Sequence, residues 1–417
     1  MKNLITVLIA FILTSSLKAQ GVNDMVSMSA NYTNQVFYSF DNGEVANISN
    51  LDWNIAFSLS GEGALGSSII LNEATSSLWG APLDTNQWAT FDSTGYANSW
   101  EQILNSDTSW TNGAFNKNRG QDGFFDLGWG ALNPSNNYWT FGDSLYLIKL
   151  GNGSFKKLWI MSLKTGVWTF KYANPDGTNE VTLNVTKSDY TNKNFIYVSL
   201  ENDAIIDREP DNTTWDIMFS KHTDFVNPPG IYIGVTSVFN NIGLYTAKSN
   251  EIDNAAALVA STPQTNFNQN TINIGRTWKK RVSGNWVVND SIAYYAWNID
   301  STSLFRIVFT GFDGQSTGNT YFNIGKLATV GLDESNFVNE TITVYPNPTS
   351  DNFTIKYIGD NNEVFNINLF NNQGELVLQK TKINNSVTID IQYLPKGIYF
   401  YQISSYSSLK TGKLIVQ

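Results

Sequence analysis

The sequence predicts an all-β protein from its periodicity, its composition and its turn signals. Apolar and polar residues alternate with a period of two in segments such as 215–220 and 305–310, the pattern of half-buried strands. Threonine, valine, isoleucine and aromatic residues dominate these segments and suit a pleated surface. Glycine, proline and asparagine clusters separate them at 151–153, 174–177 and 227–230. Only short helices are expected, near 98–104 and 250–260.

The composition excludes several classes of site. The 417 residues include no cysteine and one histidine. Disulfides, thiolate metal sites and cysteine nucleophiles are therefore excluded, as is a two-histidine haem or metal site within one copy of the chain. The net charge is −10, so nucleic acid and anionic membrane surfaces are expected to be poor partners.

Residues 1–20 have the pattern of a secretory signal peptide. Lys2 is followed by an apolar run over Leu4–Leu13 and by a small residue, Ala19, at the expected cleavage site. Ten apolar residues are too few for a membrane span of about 20, and no other run approaches that length. We expect an exported mature chain without a membrane span. The alternative is a buried N-terminal strand.

Two related modules are predicted from an internal repeat. Motifs of the first half recur in the same order and at similar spacing in the second. The matched pairs are Tyr32–Asn34 with Tyr190–Asn192, Trp53–Ser58 with Trp215–Ser220, Asp143–Leu145 with Asp290–Ile292, and Phe155–Ile160 with Leu304–Phe309. These matches predict one β module over 21–189 and a second over 190–330.

The repeated motifs resemble those of the HmuY family of Bacteroidetes. The residues that carry the resemblance are Trp215–Ser220, Arg306–Phe312 (RIVFTGF), Asp143–Leu150 (DSLYLIKL), Ser154–Ile160 and the Gly-Trp-Gly at 128–130. The resemblance covers roughly 300 residues. It implies an all-β domain on the outer surface of the cell. The best-known members capture haem, and that capture is associated with paired histidines, which this chain cannot supply.

The C-terminal block, 340–417, follows a predicted linker at 331–339. About seven short alternating segments in its ~80 residues predict a small Ig-like β-sandwich. The block resembles the type A sorting domain of the type IX secretion system. The residues that carry this resemblance are Tyr345, Pro346, Asn347, Pro348, Gly374, Gly397, Tyr399 and Lys413. It implies the type IX machinery as a partner and delivery across the outer membrane. An ordinary Ig-like binding domain is the alternative.

Motifs for catalysis are weak, and we predict that the chain is not an enzyme. Gly314–Gly318 fits G-x-S-x-G, but no histidine follows Ser316 to act as its base. The sequence contains neither a D-x-D-x-D-G calcium loop nor a phosphate loop. Carboxylates are scattered in local pairs, so a hydrolase with an unrecognised carboxylate pair remains a rival.

Four residues are candidates for ligand binding. Met218 and His222 would share one face of a continued strand and could ligate haem iron; the alternative is a strand-end histidine without a ligand. Trp79 and Trp129 lie in a tryptophan-rich stretch whose rings could bind a porphyrin or a sugar, or could pack in the core. The predicted function is non-catalytic binding of haem, another small hydrophobic molecule or a glycan. The alternative is a structural or adhesive surface protein.

Overall fold

A computed structural model confirms the all-β prediction. It describes residues 21–59, 66–226, 228–329, 341–358, 364–371, 376–384, 386–404 and 409–417. The chain divides into two compact units between Ala328 and Thr329. The predicted signal peptide, the predicted linker and Gly374 lie outside the described residues. Within the described ranges, no helix is long and apolar enough to cross a membrane.

The N-terminal unit is built from 23 strands in its described part. They are β1 (Val22–Ser27), β2 (Asn34–Ser39), β3 (Gly43–Ser49), β4 (Ile55–Ser58), β5 (Ile69–Leu71), β6 (Ser77–Ala81), β7 (Gln102–Ile103), β8 (Gly130–Asn133), β9 (Trp139–Gly142), β10 (Leu145–Lys149), β11 (Phe155–Lys164), β12 (Val167–Ala173), β13 (Val181–Thr186), β14 (Phe195–Ser199), β15 (Ala204–Ile206), β16 (Ile217–Val226), β17 (Ile231–Asn240), β18 (Thr246–Asn250), β19 (Lys279–Val282), β20 (Asn285–Val288), β21 (Ile292–Trp297), β22 (Ser303–Phe312) and β23 (Asn319–Thr329). Two short helices are α1 (Tyr96–Ser99) and α2 (Asn254–Ala257).

Most of these strands form two sandwiches, which we call lobe 1 and lobe 2, and β19 and β20 form a separate two-stranded sheet. The outer sheet of lobe 1 has the order β13-β12-β11-β10-β6-β7, with β8 and β9 beside it, and the inner sheet has the order β15-β14-β4-β5. The outer sheet of lobe 2 has the order β1-β23-β22-β21-β18, and its inner sheet has the order β17-β16-β2-β3. Each lobe encloses its own buried core, because inward-facing apolar residues alternate with residues of the other face.

The two repeats exchange strands. The N-terminal strand β1 pairs with β23, and β2 pairs with β16, so residues 22–49 complete lobe 2. In return, β14 pairs with β4 of the first repeat and with β15, so the start of the second repeat completes lobe 1. Each lobe therefore takes strands from both sides of residue 190, the predicted boundary between the two modules.

The C-terminal unit is a sandwich of two sheets around one core. Its strands are β24 (Thr341–Tyr345), β25 (Asn352–Ile358), β26 (Val364–Phe370), β27 (Leu376–Asn384), β28 (Ser386–Asp390), β29 (Gly397–Ser404) and β30 (Leu409–Val416). The sheet orders are β24-β25-β28 and β27-β26-β29-β30. Buried residues of both sheets, including Phe353, Phe365 and Leu414, fill the space between them.

Candidate functional site

The inner sheets of the two lobes face each other, and a tryptophan lies between them. We call residues 101–112, which follow α1, the arm. The ring of Trp110 at its end packs against Phe195 of lobe 1 and Phe239 of lobe 2, with ring centroids 5.7 and 6.1 Å apart. The indole N–H of Trp110 donates to the backbone carbonyl of Asn240 at 2.9 Å. The arm therefore begins in lobe 1, where Gln102–Ile103 form β7, and its end is hydrogen-bonded to lobe 2.

A cavity of about 60 Å³ lies beside Trp110, and two of the predicted ligand residues, Met218 and His222, line it. Both side chains are buried. His222 Nδ1 and the indole nitrogen of Trp215 have no hydrogen-bond partner. Burial lowers the pKa of His222 to about 4, so the imidazole is neutral at pH 7. A cavity of this volume accommodates a few water molecules and is smaller than a haem.

The other two predicted ligand residues lie elsewhere. Trp79 is half-buried on the exposed side of the outer sheet of lobe 1, where its ring packs against Tyr96 with centroids 4.9 Å apart. Trp129 is fully buried in the core of lobe 1 and donates its indole N–H to the carbonyl of Ser67 at 3.0 Å. The structure brings Met218 and His222 together but does not bring either tryptophan to them.

An open groove of about 510 Å³ lies next to this cavity. We call it the hairpin groove, because one wall is the tip of the β16–β17 hairpin and the other is the arm with the segment after it. The hairpin contributes Phe225 and Tyr232, which are 47% and 41% exposed and whose ring centroids lie 5.0 Å apart. The remaining lining residues are mostly polar and comprise Glu101, Gln102, Leu104, Asn105, Ser106, Asn112 and Lys117.

Hydrogen bonds hold the two walls of the hairpin groove together. The hydroxyl of Tyr232 donates to the carbonyl of Gln102 at 3.4 Å. Deeper in the molecule, the carboxylate of Glu73 accepts the backbone N–H of Asn105 at 2.5 Å and that of Thr223 at 3.1 Å. Sequence reasoning missed Phe225, Tyr232 and Glu73. The turn predicted at 227–230, with an aromatic residue on each side, is the signal that could have indicated the groove.

Buried carboxyls with raised pKa values are the usual candidates for acid–base catalysis, and three of them, each at most 8% exposed, lie among the residues that the structure describes. Burial raises the pKa of Glu73 to about 7, of Glu209 to about 8 and of Asp216 to about 6. Each of them accepts two backbone N–H groups: Glu209 those of Asn194 and Phe195, and Asp216 those of Phe40 and Ile299. Each oxygen of these three carboxyls accepts one main-chain amide, which ties the carboxyl to the backbone around it.

Ser316 is the serine of the G-x-S-x-G match at Gly314–Gly318. Ser316 lies in a 3₁₀ turn, and its hydroxyl donates to the carbonyl of Asp313 at 3.3 Å rather than to a base. Within the described residues, no group of three or more histidine, aspartate or glutamate side chains is arranged to hold a metal ion.

In the C-terminal unit, the residues that resemble a sorting signal are joined by hydrogen bonds. The side-chain amide of Asn347 donates to the carbonyl of Lys413 at 2.7 Å, and its oxygen accepts the N–H of Ile415 at 2.9 Å. Tyr399 donates its hydroxyl to the carbonyl of Pro395 at 2.7 Å. The Tyr-Pro-Asn-Pro segment at the end of β24 is thus fastened to the last strand, β30, through Asn347.

Comparison with known families identifies this unit. Residues 343–417 match the family described as the secretion system C-terminal sorting domain. The C-terminal unit is a type IX secretion sorting domain. It directs the protein across the outer membrane, to the cell surface or the extracellular space. The predictions of a sorting domain and of this localisation are therefore confirmed.

Comparisons of the whole chain show much weaker likenesses. No curated protein matches it. Among solved structures, it is similar to PorZ, a surface component of the type IX secretion system of Porphyromonas gingivalis, with 11% identity over 68% of this chain and 44% of that one and a TM-score of 0.16. A polysaccharide lyase matches with 10% identity, 60% and 39% coverage and a TM-score of 0.15. Latent PorU of P. gingivalis matches with 9% identity, 94% and 34% coverage and a TM-score of 0.15. The chain thus spans less than half the length of these proteins.

Proposed function

We propose that this protein is an exported, non-catalytic carbohydrate-binding protein, and that the hairpin groove is its binding site. The sorting domain delivers it to the outside of the cell. The N-terminal unit is a binding domain of the kind expected from its resemblance to the HmuY family, with a glycan in place of haem. The observation that carries the proposal is the pair of exposed rings, Phe225 and Tyr232, over a polar groove.

The size and chemistry of the groove support a carbohydrate ligand. Its volume of about 510 Å³ lies within the range of ~300–1,000 Å³ typical of ligand sites. Exposed aromatic faces offer a flat apolar surface to the C–H face of a sugar ring. The amides of Gln102, Asn105 and Asn112 and the hydroxyl of Ser106 are donors and acceptors for sugar hydroxyls.

The charges of the groove favour a neutral glycan. Glu101 and Lys117 both line it, and they form an ion pair with each other. The lining therefore presents little net charge to a ligand. The net charge of the whole chain is −10, which opposes the approach of a polyanion. A neutral, polyhydroxylated ligand matches both features.

The proposal is tested by measuring the affinity of residues 21–417 for neutral polysaccharides, namely a β-glucan, a mannan and a xylan. The double variant Phe225→Ala/Tyr232→Ala is expected to lose binding by at least about tenfold, because both stacking faces are removed. Phe124→Ala is the matched control, since Phe124 is 93% exposed and lies outside the groove. Unchanged binding by the double variant, or no binding of any of the three polysaccharides, would contradict the proposal. In the latter case a structural or adhesive role becomes the better account.

Haem binding is a second candidate, favoured by the neutral imidazole of His222 and its unpartnered Nδ1. A haem could reach His222 only if the inner sheets moved apart, because the cavity is about 60 Å³. Titration with haem is expected to give no saturable Soret band. A saturable band that is lost in His222→Ala would replace the glycan with haem as the ligand.

A further inference from the structure

Glu73 is one buried side chain that contacts both walls of the hairpin groove. It lies two residues after β5 and is 8% exposed. Its Oε1 accepts from Asn105 in the arm, and its Oε2 accepts from Thr223 in the hairpin. The hydroxyl of Thr223 also donates to the backbone carbonyl of Glu73 at 3.0 Å. A single residue of lobe 1 therefore ties the arm to the base of a hairpin that belongs to lobe 2.

Both partners of Glu73 are close to the groove surface. Asn105 lines the groove itself, and Thr223 lies two residues before Phe225 on the same strand. Asn105 is also fixed to β5, because its side chain accepts from the N–H of Leu71 and donates to the carbonyl of the same residue, both at 2.9 Å. A movement of the hairpin relative to the arm must therefore stretch the Glu73–Thr223 contacts as well as the hydrogen bond between Tyr232 and Gln102.

We propose that Glu73 is the positioning residue of the hairpin groove: its carboxyl joins the two walls, and because the closed walls exclude water from that carboxyl, its ionisation favours their opening and glycan affinity falls as pH rises. This inference rests on the proposed function, since it assigns a regulation to the same groove.

The direction of this pH dependence follows from the difference between the pKa of Glu73 with the walls closed and its pKa with the walls open. With the walls closed, as in this structure, burial raises the pKa of Glu73 from its ordinary value of 4.5 to about 7. The two amide hydrogen bonds oppose this rise but are the smaller effect. Opening the walls returns the carboxyl to water and lowers its pKa. The closed form thus binds the proton more tightly, so acid favours closure, and ionisation above pH 7 favours opening.

Other titratable groups near Glu73 must be distinguished from it as the source of a pH dependence. Asp107 of the arm raises the pKa of Glu73, and the pKa of Asp107 is itself raised by burial and by Asp224. Asp224 is paired with Arg276. Lys221 and His222 of β16 border the adjoining cavity; the imidazole is neutral above pH 6, because the pKa of His222 is about 4. The titration of Asp107 is therefore the one that an experiment must distinguish from the titration of Glu73.

Amide hydrogen exchange of residues 21–417, measured without glycan, tests directly whether Glu73 holds the two walls together. After correction for intrinsic rates, protection of the amides of Asn105 and Thr223 is expected to fall about tenfold between pH 6 and pH 8. Glu73→Gln should remove this slope. Asp107→Asn should keep the slope but shift its midpoint to lower pH, because the charge of Asp107 raises the pKa of Glu73. A wild-type protein without the slope, or a Glu73→Gln protein that retains it, would overturn the inference.

Glu209→Gln is the matched control. Glu209 is also a buried carboxyl with a raised pKa, but its two amide partners, Asn194 and Phe195, are neighbours in the chain, so it does not join two walls. This variant should keep the pH slope at Asn105 and Thr223. If Glu73→Gln fails to fold, Thr223→Ala removes only the hydroxyl contact and should lower protection at every pH while keeping the slope; unchanged protection in Thr223→Ala would overturn the inference.

Glycan affinity measured at pH 6 and pH 8 separates this inference from the proposed function. A threefold to tenfold weaker affinity at pH 8, absent in Glu73→Gln, supports the positioning role. Binding with a flat pH profile overturns the positioning role and leaves the proposed function standing. If no glycan binds, the proposed function fails, and the exchange experiment still decides whether Glu73 holds the two walls together in a pH-dependent way.

Discussion

Asn72 and Asn241 occupy equivalent positions in the two repeats and make the same pair of hydrogen bonds. The amide of Asn72 donates to the carbonyls of Asn50 and Trp53 at 2.8 and 2.9 Å. The amide of Asn241 donates to the carbonyls of Asn212 and Trp215 at 2.9 and 2.8 Å. Trp53 and Trp215 are themselves matched in the sequence repeat, so the repeat extends to individual contacts.

Asn72→Ala and Asn241→Ala are expected to destabilise the protein by similar amounts. Each substitution leaves two buried carbonyls without their donor, a loss of about 2–4 kcal/mol in the free energy of unfolding. Urea unfolding of the two variants measures it. Asn86→Ala, an exposed asparagine in lobe 1, is the control and should be near neutral. A cost in one repeat and none in the other would contradict the equivalence.

Trp110→Ala is expected to weaken the joint between the lobes. The substitution removes the ring that packs on Phe195 and Phe239 together with the hydrogen bond to Asn240, at a cost of about 3 kcal/mol. Trp110→Phe keeps most of the ring contact and should cost less than half as much. Chemical denaturation followed by tryptophan fluorescence measures both. Equal stabilities of the two variants would show that the ring contact is unimportant.

His222→Phe is expected to change how stability depends on acid. The pKa of His222 is lowered to about 4 by burial, so the unfolded chain binds a proton that the folded chain does not between about pH 6.5 and pH 4. Folding stability from this group is therefore complete above pH 6.5 and is lost as pH falls, by up to about 3 kcal/mol. The phenylalanine variant should lose stability less steeply over that interval. Parallel pH profiles of the two proteins would refute the expectation.

Asn347→Ala is expected to reduce secretion. The change breaks both bonds that fasten the segment after β24 to Lys413 and Ile415 in the last strand. Delivery across the outer membrane depends on this sorting domain, so more protein should remain inside the cell envelope. Immunoblots of cell and medium fractions measure the ratio. Lys396→Ala, an exposed residue of the same unit, is the control and should be secreted normally.

Sequence alone was sufficient for the fold class and for the destination of the protein. Strand alternation, turn residues and the C-terminal motifs are local patterns, and each of them is complete within a few tens of residues. The alternation over 215–220 predicts a strand, and β16 begins within it at Ile217, although all six residues are buried rather than half-buried. The Tyr-Pro-Asn-Pro segment is recognisable because its motif is contiguous. The internal repeat was visible for the same reason.

Only the tertiary structure decided which strands pair and where the groove lies. Nothing within β2 specifies β16 as its partner 180 residues away, because pairing is set by how whole apolar faces pack. The same packing buried Trp129, left Phe225 and Tyr232 exposed, and placed them opposite an arm more than 100 residues earlier in the chain. Long-range pairing of this kind depends on the summed burial of two sheets rather than on any short segment, so the sequence predicted the elements and the structure alone supplied the site.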